Sequence, residues 1–410
     1  DQIFNNKYYY YTLKGNIEIT SDKNIIIGKP IKLAKNKNNK DLVLTIFIDG
    51  LSYAFLEEQG LENIMPNTYK FFNKGIICKK CYTVGEWTLT SVASMCTGLH
   101  TTQHHLFHPS RKDSISNSIK TLFEIYQDEG YNTCIINNDW RVTPEYGYLR
   151  GINRFIYKPY MDDTNVLYEA LVHLNTFKSS NQYMWLSFMD LHKVSDNIIP
   201  DIFVQSKMSL QEKSKREFDT NKSVNQNVND EKIAHYKYQI LNLDSILENL
   251  YNYIENNFDM DKCVITLVSD HGKSFLQSDQ DFYLKEQLTR VPLMIRHKKL
   301  DSIVSDELIQ TTDYLSILTN LSQINIDLKS RNSSLPKFLN GEKERDYTYC
   351  ESIFPGQSYK ATITTNDYIG YFESKQLVSQ EGTVSLDDYI FHLWDRNNNK
   401  YFSDNKIKEK

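Results

Sequence analysis

Residues 42–50, LVLTIFIDG, form a continuous apolar, β-branched run that stops at Asp-Gly. A run apolar at every position fits a strand buried on both faces, as in the interior of a parallel sheet. Residues 76–82, 132–136, 183–188, 263–269 and 292–295 read as further strands. Between them, residues 88–97, 118–129, 166–177, 231–257 and 306–318 carry helical spacing. Strand and helix trading places at this pitch predicts an α/β fold: a doubly wound, mostly parallel sheet flanked by helices.

Two stretches break the rhythm, and a third precedes it. Residues 1–40 alternate polar and apolar positions and end in a Lys/Asn-rich join, which predicts a hairpin or a lead-in. Residues 205–230 are polar and rich in Ser, Asn and Lys, as expected of an insertion or lid. From residue 345 to 410 the strand-like pieces 347–351, 361–364, 368–372 and 389–394 follow one another without helices, predicting a small C-terminal antiparallel sheet. The main α/β domain is thus expected over residues 41–344.

Composition narrows the possibilities. Charges of both signs are interspersed and sum to only -5, so no basic stripe suggests nucleic acid. No apolar stretch approaches the roughly 20 residues a membrane span needs. The six cysteines are scattered through apolar runs, which reads as a reduced protein, and the lone Cys78-x-x-Cys81 reads as packing. The chain begins with Asp. It is therefore expected to be processed, trimmed, or one domain of a longer protein.

In open α/β sheets the chemistry gathers at the C-terminal ends of the strands. The strongest strands here end in Asp49, in Asp190 with His192, and in Asp270 with His271. Carboxylates and an imidazole converging from separate elements suit a divalent metal such as zinc or manganese. Taken singly, Asp270-His271-Gly272 is equally a turn cap with a surface histidine. Thr88 stands at the start of a predicted helix, where free amides and the helix dipole favour an anion, and where a hydroxyl is also an ordinary N-cap. A nearby metal or base would turn that hydroxyl into a nucleophile. Arg141 follows another strand and either binds an anion bidentately or pairs with Asp139 or Glu145.

The ordered set is more specific than its members. Asp-Gly follows the first strand, and Thr88 lies nine residues before Thr97-Gly98. LHTTQHHL (99–106) comes next. Then come a long helix with an internal Asp244, Ser-Asp-His-Gly at 269–272, and LTRVPLMI at 288–295. This order resembles the alkaline phosphatase and sulfatase superfamily over residues 40–320, with a weaker match at Glu351-Ser352. The resemblance implies an alkaline-phosphatase-like fold and a metal held by Asp49, Thr88, Asp270 and His271. It implies Thr88 as nucleophile and His192 and Lys273 as catalytic partners. Arg141, with Trp140, His192 and His105, would meet the substrate, and at most one of His104, His105 and His108 would face the site. Two-metal relatives would add Asp190, His192 and a C-terminal histidine, for which His392 is the candidate; one ion is favoured.

The departures direct the chemistry. Sulfatases need a Cys or Ser that is converted to formylglycine, and Thr88 cannot undergo that conversion. The Asn beside the late metal-binding Asp is His271 here, and Asp281 stands where a lysine is expected. A threonine nucleophile with Asp-His resembles phosphodiesterases and phospho-group transferases. The expected reaction is transfer of a substituted phosphoryl group (phosphoramidate, phosphoethanolamine or phosphoglycerol) from a small-molecule donor to a glycan hydroxyl through a phosphothreonine. The alternatives are a phosphodiesterase, a phosphonate monoester hydrolase, a sulfatase-like hydrolase, or a non-catalytic binding domain. By analogy with enzymes that decorate surface polysaccharides, a bacterial protein in the cytoplasm or peripheral to the inner membrane is expected.

Overall fold

The computed structural model describes residues 9–195, 228–277, 282–298, 300, 302–398 and 400–403. A nine-stranded sheet forms the centre. Its strands are β1 (Leu42–Ile48), β2 (Ile76–Tyr82), β3 (Asn132–Asn137), β4 (Arg154–Tyr157), β5 (Gln182–Phe188), β6 (Cys263–Ser269), β7 (Arg290–Arg296), β8 (Ile303–Ser305) and β9 (Ile309–Gln310). They lie in the order β4-β3-β5-β1-β6-β7-β2-β8, with β9 paired to β2. The run from β4 to β6 is parallel, while β7 is antiparallel to both β6 and β2.

Every residue of β1, β5 and β6 is buried, as their unbroken apolar runs require. The two faces feed separate layers. Leu44, Ile46 and Ile48 join a cluster with the helices Pro66–Phe72, Asp163–Thr176 and Asp230–Asn257. Val43 and Phe47 join the opposite cluster with the helices Thr88–Thr97, Leu122–Asp128 and Tyr314–Leu321. The helix expected at 118–129 starts late because Thr121 and Glu124 close a capping box there. The one expected at 306–318 begins as the single turn Thr311–Asp313 before Tyr314–Leu321.

Asp244, in the middle of the long helix, accepts the backbone N–H groups of Asn67 at 3.0 Å and Thr68 at 2.8 Å. It thereby caps the helix Pro66–Phe72 from another element. Among the described residues before 40 no strand forms, so the alternation there yields no hairpin. Most of the 205–230 insertion, and Asp281, lie outside the described residues.

A second, antiparallel sheet is built from β10 (Thr348–Ser352), β11 (Ser358–Thr364), β12 (Tyr368–Leu377), β13 (Tyr389–Asp395) and β14 (Lys400–Ser403). It docks beside the loop leading to Thr88. Glu351 N donates to Val84 O at 2.9 Å, and Ser352 Oγ donates to Glu86 Oε1 at 2.7 Å. No helix among the described residues is long and apolar enough to cross a membrane.

Candidate metal and nucleophile site

Register brings the first two acids together. Ile48 of β1 pairs with Ser269 of β6, so the next residues, Asp49 and Asp270, leave adjacent strands side by side, about 4.8 Å apart in the sheet direction. Asp270 Oδ1 is spent on the backbone N–H groups of Gly50 at 3.0 Å and His271 at 2.9 Å. His271 Nδ1 lies 2.7 Å from Gly272 O, which can only accept. Nδ1 therefore carries a proton, and Nε2 faces the cluster, 3.3 Å from Asp270 Oδ2. Asp49, Asp270 and His271 each offer an atom within 4.8 Å of the others'. Asp49 Oδ1, Asp270 Oδ2 and His271 Nε2 are buried without a hydrogen-bond partner.

Three convergent buried atoms without hydrogen bonds are costly unless a cation meets them, and Lys273 Nζ, 3.5 Å from Asp49 Oδ1, does so only in part. Two carboxylate oxygens and a neutral imidazole fit zinc or manganese.

Thr88 opens the helix Thr88–Thr97, whose ten residues are all buried. Its Oγ1 donates to Asp49 Oδ2 at 2.8 Å. Two cations flank the same carboxylate: Arg141 Nη2 lies 3.3 Å from Asp49 Oδ2 and Lys273 Nζ lies 3.5 Å from Asp49 Oδ1. Burial alone would raise the Asp49 pKa. The charges of His192, Lys273, Arg141 and His271 override it and hold the carboxyl well below its usual range. Asp270 goes the other way, raised by burial and by the charge of Asp49 despite the pull of His271. Burial also opposes the charged form of Arg141. Asp139 and Asp49 outweigh it, and the pKa is raised. Asp139 grips Arg141 Nε at 2.8 Å.

Gly50 makes room for this arrangement. Its φ is +70°, and a Cβ there would fall 2.2 Å from Lys273 Cε and 2.4 Å from Lys273 Nζ.

The other expected residues divide. Arg141 realises both open readings at once, paired with Asp139 yet buried against Asp49. His192 is among the groups whose charge lowers the Asp49 pKa. Trp140 is 48% exposed at the rim, with the Arg141 guanidinium 5.9 Å from its ring centroid. His105 is exposed in a left-handed conformation. Its neighbour His104 is structural: Nδ1 accepts Leu106 N at 3.1 Å and Nε2 meets Ser94 Oγ at 3.0 Å. His108 packs edge-on to Phe354 at 4.6 Å.

The ligands of a second ion do not assemble among the described residues. Asp190 instead pairs with Lys193 at 2.6 Å and accepts Asp163 N at 3.3 Å. His392 sits in β13 and stacks on Tyr371 at 6.1 Å. Cys78 and Cys81 are buried within β2. Sequence reasoning named Asp139 only as a possible surface partner of Arg141, noted Gly50 only as part of Asp-Gly, and missed the buried Glu86. The Gly after a strand-ending Asp, and an Asp two residues before Arg141, were the available signals.

The sulfatase family profile matches residues 41–324. No curated protein matches the chain significantly. Among solved structures, a 2-O GAG sulfatase superposes with a TM-score of 0.66 at 15% identity, covering 90% of this chain and 89% of its own. A phosphonate monoester hydrolase from Silicibacter pomeroyi gives 0.64 at 12% identity, covering 87% and 89%. An alkaline phosphatase superfamily protein from Vibrio parahaemolyticus gives 0.61 at 12%, covering 92% and 85%. These likenesses establish the shared fold.

Proposed function

This chain belongs to the sulfatase family, within the alkaline phosphatase superfamily, and from that premise we propose that it transfers a substituted phosphoryl group through Thr88. The carrying observation is the Thr88 hydroxyl, 2.8 Å from Asp49 Oδ2, at the cluster of Asp49, Asp270 and His271. The Cβ of threonine bears a methyl group and cannot become the aldehyde that sulfate ester cleavage in this family uses. An unmodified hydroxyl suits a phosphorus centre.

Asp49, Asp270 and His271 would hold one divalent ion, with Thr88 Oγ1 beside it. Such an ion, zinc or manganese, would lower the pKa of the hydroxyl and neutralise charge. Thr88 Oγ1, made acidic by such an ion, would pass its proton to His192 and attack phosphorus in line with the leaving oxygen. The bond to that oxygen breaks, and His192 delivers a proton to it. An acceptor hydroxyl then attacks the phosphothreonine, its proton returning through His192, and Thr88 is restored. Arg141 and Lys273 face the developing negative charge on the phosphoryl oxygens, where such transfers gain most.

Charge supports a monoanionic substrate. Asp49, Asp270 and Asp139 are offset by Arg141, Lys273 and a divalent ion, leaving about one positive charge. A diester, phosphoramidate ester or phosphonate monoester carries one negative charge at neutral pH. The acceptor is a glycan hydroxyl on this reading. Water in its place gives a phosphodiesterase or phosphonate monoester hydrolase, a reading favoured by the phosphonate hydrolase among the structural neighbours.

The test is turnover of an aryl phosphodiester, an aryl phosphonate monoester and an aryl sulfate by metal-loaded protein. The phosphorus esters should turn over, with a sugar acceptor accelerating product release, and Thr88→Ala should abolish turnover. Preferential cleavage of the sulfate, or full activity in Thr88→Ala, would overturn the reading.

A further inference from the structure

Strands β6, β1, β5 and β3 deliver the polar groups along the C-terminal rim, and the segments that end β3 and β4 deliver rings. Trp140 is 48% exposed, Tyr157 39% and Tyr160 85%. They form one stretch of the rim. Tyr157 is the register partner of Asn137. Asn138 Nδ2 donates to Met161 O, so Tyr160 is held beside the turn that carries Trp140.

The platform is braced. Trp140 O accepts Thr143 Oγ1 at 3.0 Å, and the Trp140 ring leans on buried Tyr146 at 6.3 Å. Tyr160 holds φ at 61°, a left-handed conformation that a bulky residue adopts only under constraint. Across the mouth, Trp87 is 7% exposed and packs edge-on to Phe354 at 5.7 Å. The exposed ring area therefore lies with Trp140, Tyr157 and Tyr160.

Arg141 joins this platform to the chemistry. Its guanidinium stands 5.9 Å from the Trp140 ring centroid, and its Nη2 lies 3.3 Å from Asp49 Oδ2. A group bonded to an anion held at Arg141 leaves the site past Trp140. The occupant is not cationic, because Arg141 already occupies the cation position on that ring and would repel a second positive charge. Nor does the surround suit a polyanion: Glu145 and Asp162, nearby in the chain, offset Lys158 between the two tyrosines. A neutral pyranose matches what is offered. Its C–H face lies on an indole, and its hydroxyls meet tyrosine O–H groups.

We propose that Trp140, Tyr157 and Tyr160 form a subsite for the neutral sugar ring of the alcohol from which, or to which, the phosphoryl group passes. The place of this ring in the reaction rests on the function proposed above; its binding does not.

Saturation-transfer NMR on the full chain tests the subsite directly. The probes are methyl glycosides of glucose, galactose and N-acetylglucosamine and their disaccharides, with adenosine and choline as controls. At least one glycoside should receive saturation at its ring C–H protons. Its affinity should fall tenfold or more in Trp140→Ala and in Tyr160→Ala, recover in Trp140→Phe, and stay unchanged in Thr88→Ala. The proposal is overturned if no glycoside binds, if both alanine variants bind as well as wild type, or if adenosine or choline binds in place of the sugars. Failure of the phosphoryl-transfer reading shows separately, as turnover that survives Thr88→Ala.

Discussion

Gly50→Ala tests how the site is held together. At φ +70° an alanine is strained, by about 1–2 kcal/mol. The larger effect is steric. The new Cβ would lie 2.2 Å from Lys273 Cε and 2.4 Å from Nζ, so the lysine tip must withdraw from its 3.5 Å approach to Asp49 Oδ1. Losing one preorganised charge facing a developing anion costs about 10²–10³-fold in rate, or roughly 3–4 kcal/mol. Gly50→Ala should therefore lower kcat/KM on an aryl phosphodiester by about 100-fold, and Lys273→Met should match it. Because both substitutions remove the same group, the double variant should be no slower than Lys273→Met by more than about 0.5 kcal/mol. Urea unfolding checks that stability falls only by the strain. Full activity in Gly50→Ala, or rate losses that add in the double variant, would refute this account of Lys273.

Three further outcomes follow from the same geometry. Burial pushes the Glu86 carboxyl up to about 7 from its ordinary 4.5, against the hydrogen bond from Ser352. The folded state binds that proton more tightly than the unfolded state, so about 3 kcal/mol of stability is present below pH 4.5 and lost as pH rises through 7; Glu86→Gln should flatten this loss in urea titrations. Asp244→Ala leaves two backbone N–H groups without their acceptor and should cost about 1–3 kcal/mol, with metal stoichiometry unchanged. Adding zinc or manganese to metal-free protein should raise its melting temperature, by about 2.7 kcal/mol of stability at 100 times Kd, and Asp270→Asn should remove most of that gain.

Much of this was legible in the sequence because burial writes itself into strands. The unbroken runs of β1, β5 and β6 marked the middle of the sheet and, at their ends, Asp49, His192 and Asp270-His271. Register then does what periodicity cannot: only the Ile48–Ser269 pairing shows that the two acids stand side by side. Of the two readings of the first forty residues, hairpin or lead-in, the hairpin does not form among the described residues, because alternation makes a strand only where a partner edge accepts its hydrogen bonds. Asp190 looked like a metal ligand because it ends a strand, yet the helix starting at Asp163 takes its carboxylate. Of the histidines of LHTTQHHL at most one is expected to face the site, and the backbone and Ser94 satisfy His104 while His105 is exposed. Glu86 left no trace, since its partners Ser352 and Lys360 come from the second sheet.

The central claim is that Thr88 carries the transferred group. Metal-loaded protein mixed briefly with an activated phosphodiester or phosphoramidate donor, acid-quenched and peptide-mapped by mass spectrometry, should show the added phosphoryl mass on the peptide containing Thr88. The adduct should disappear when acceptor is added and be absent from Thr88→Ala. Continued turnover by Thr88→Ala, or an adduct on another residue that forms and decays at the turnover rate, would contradict the account.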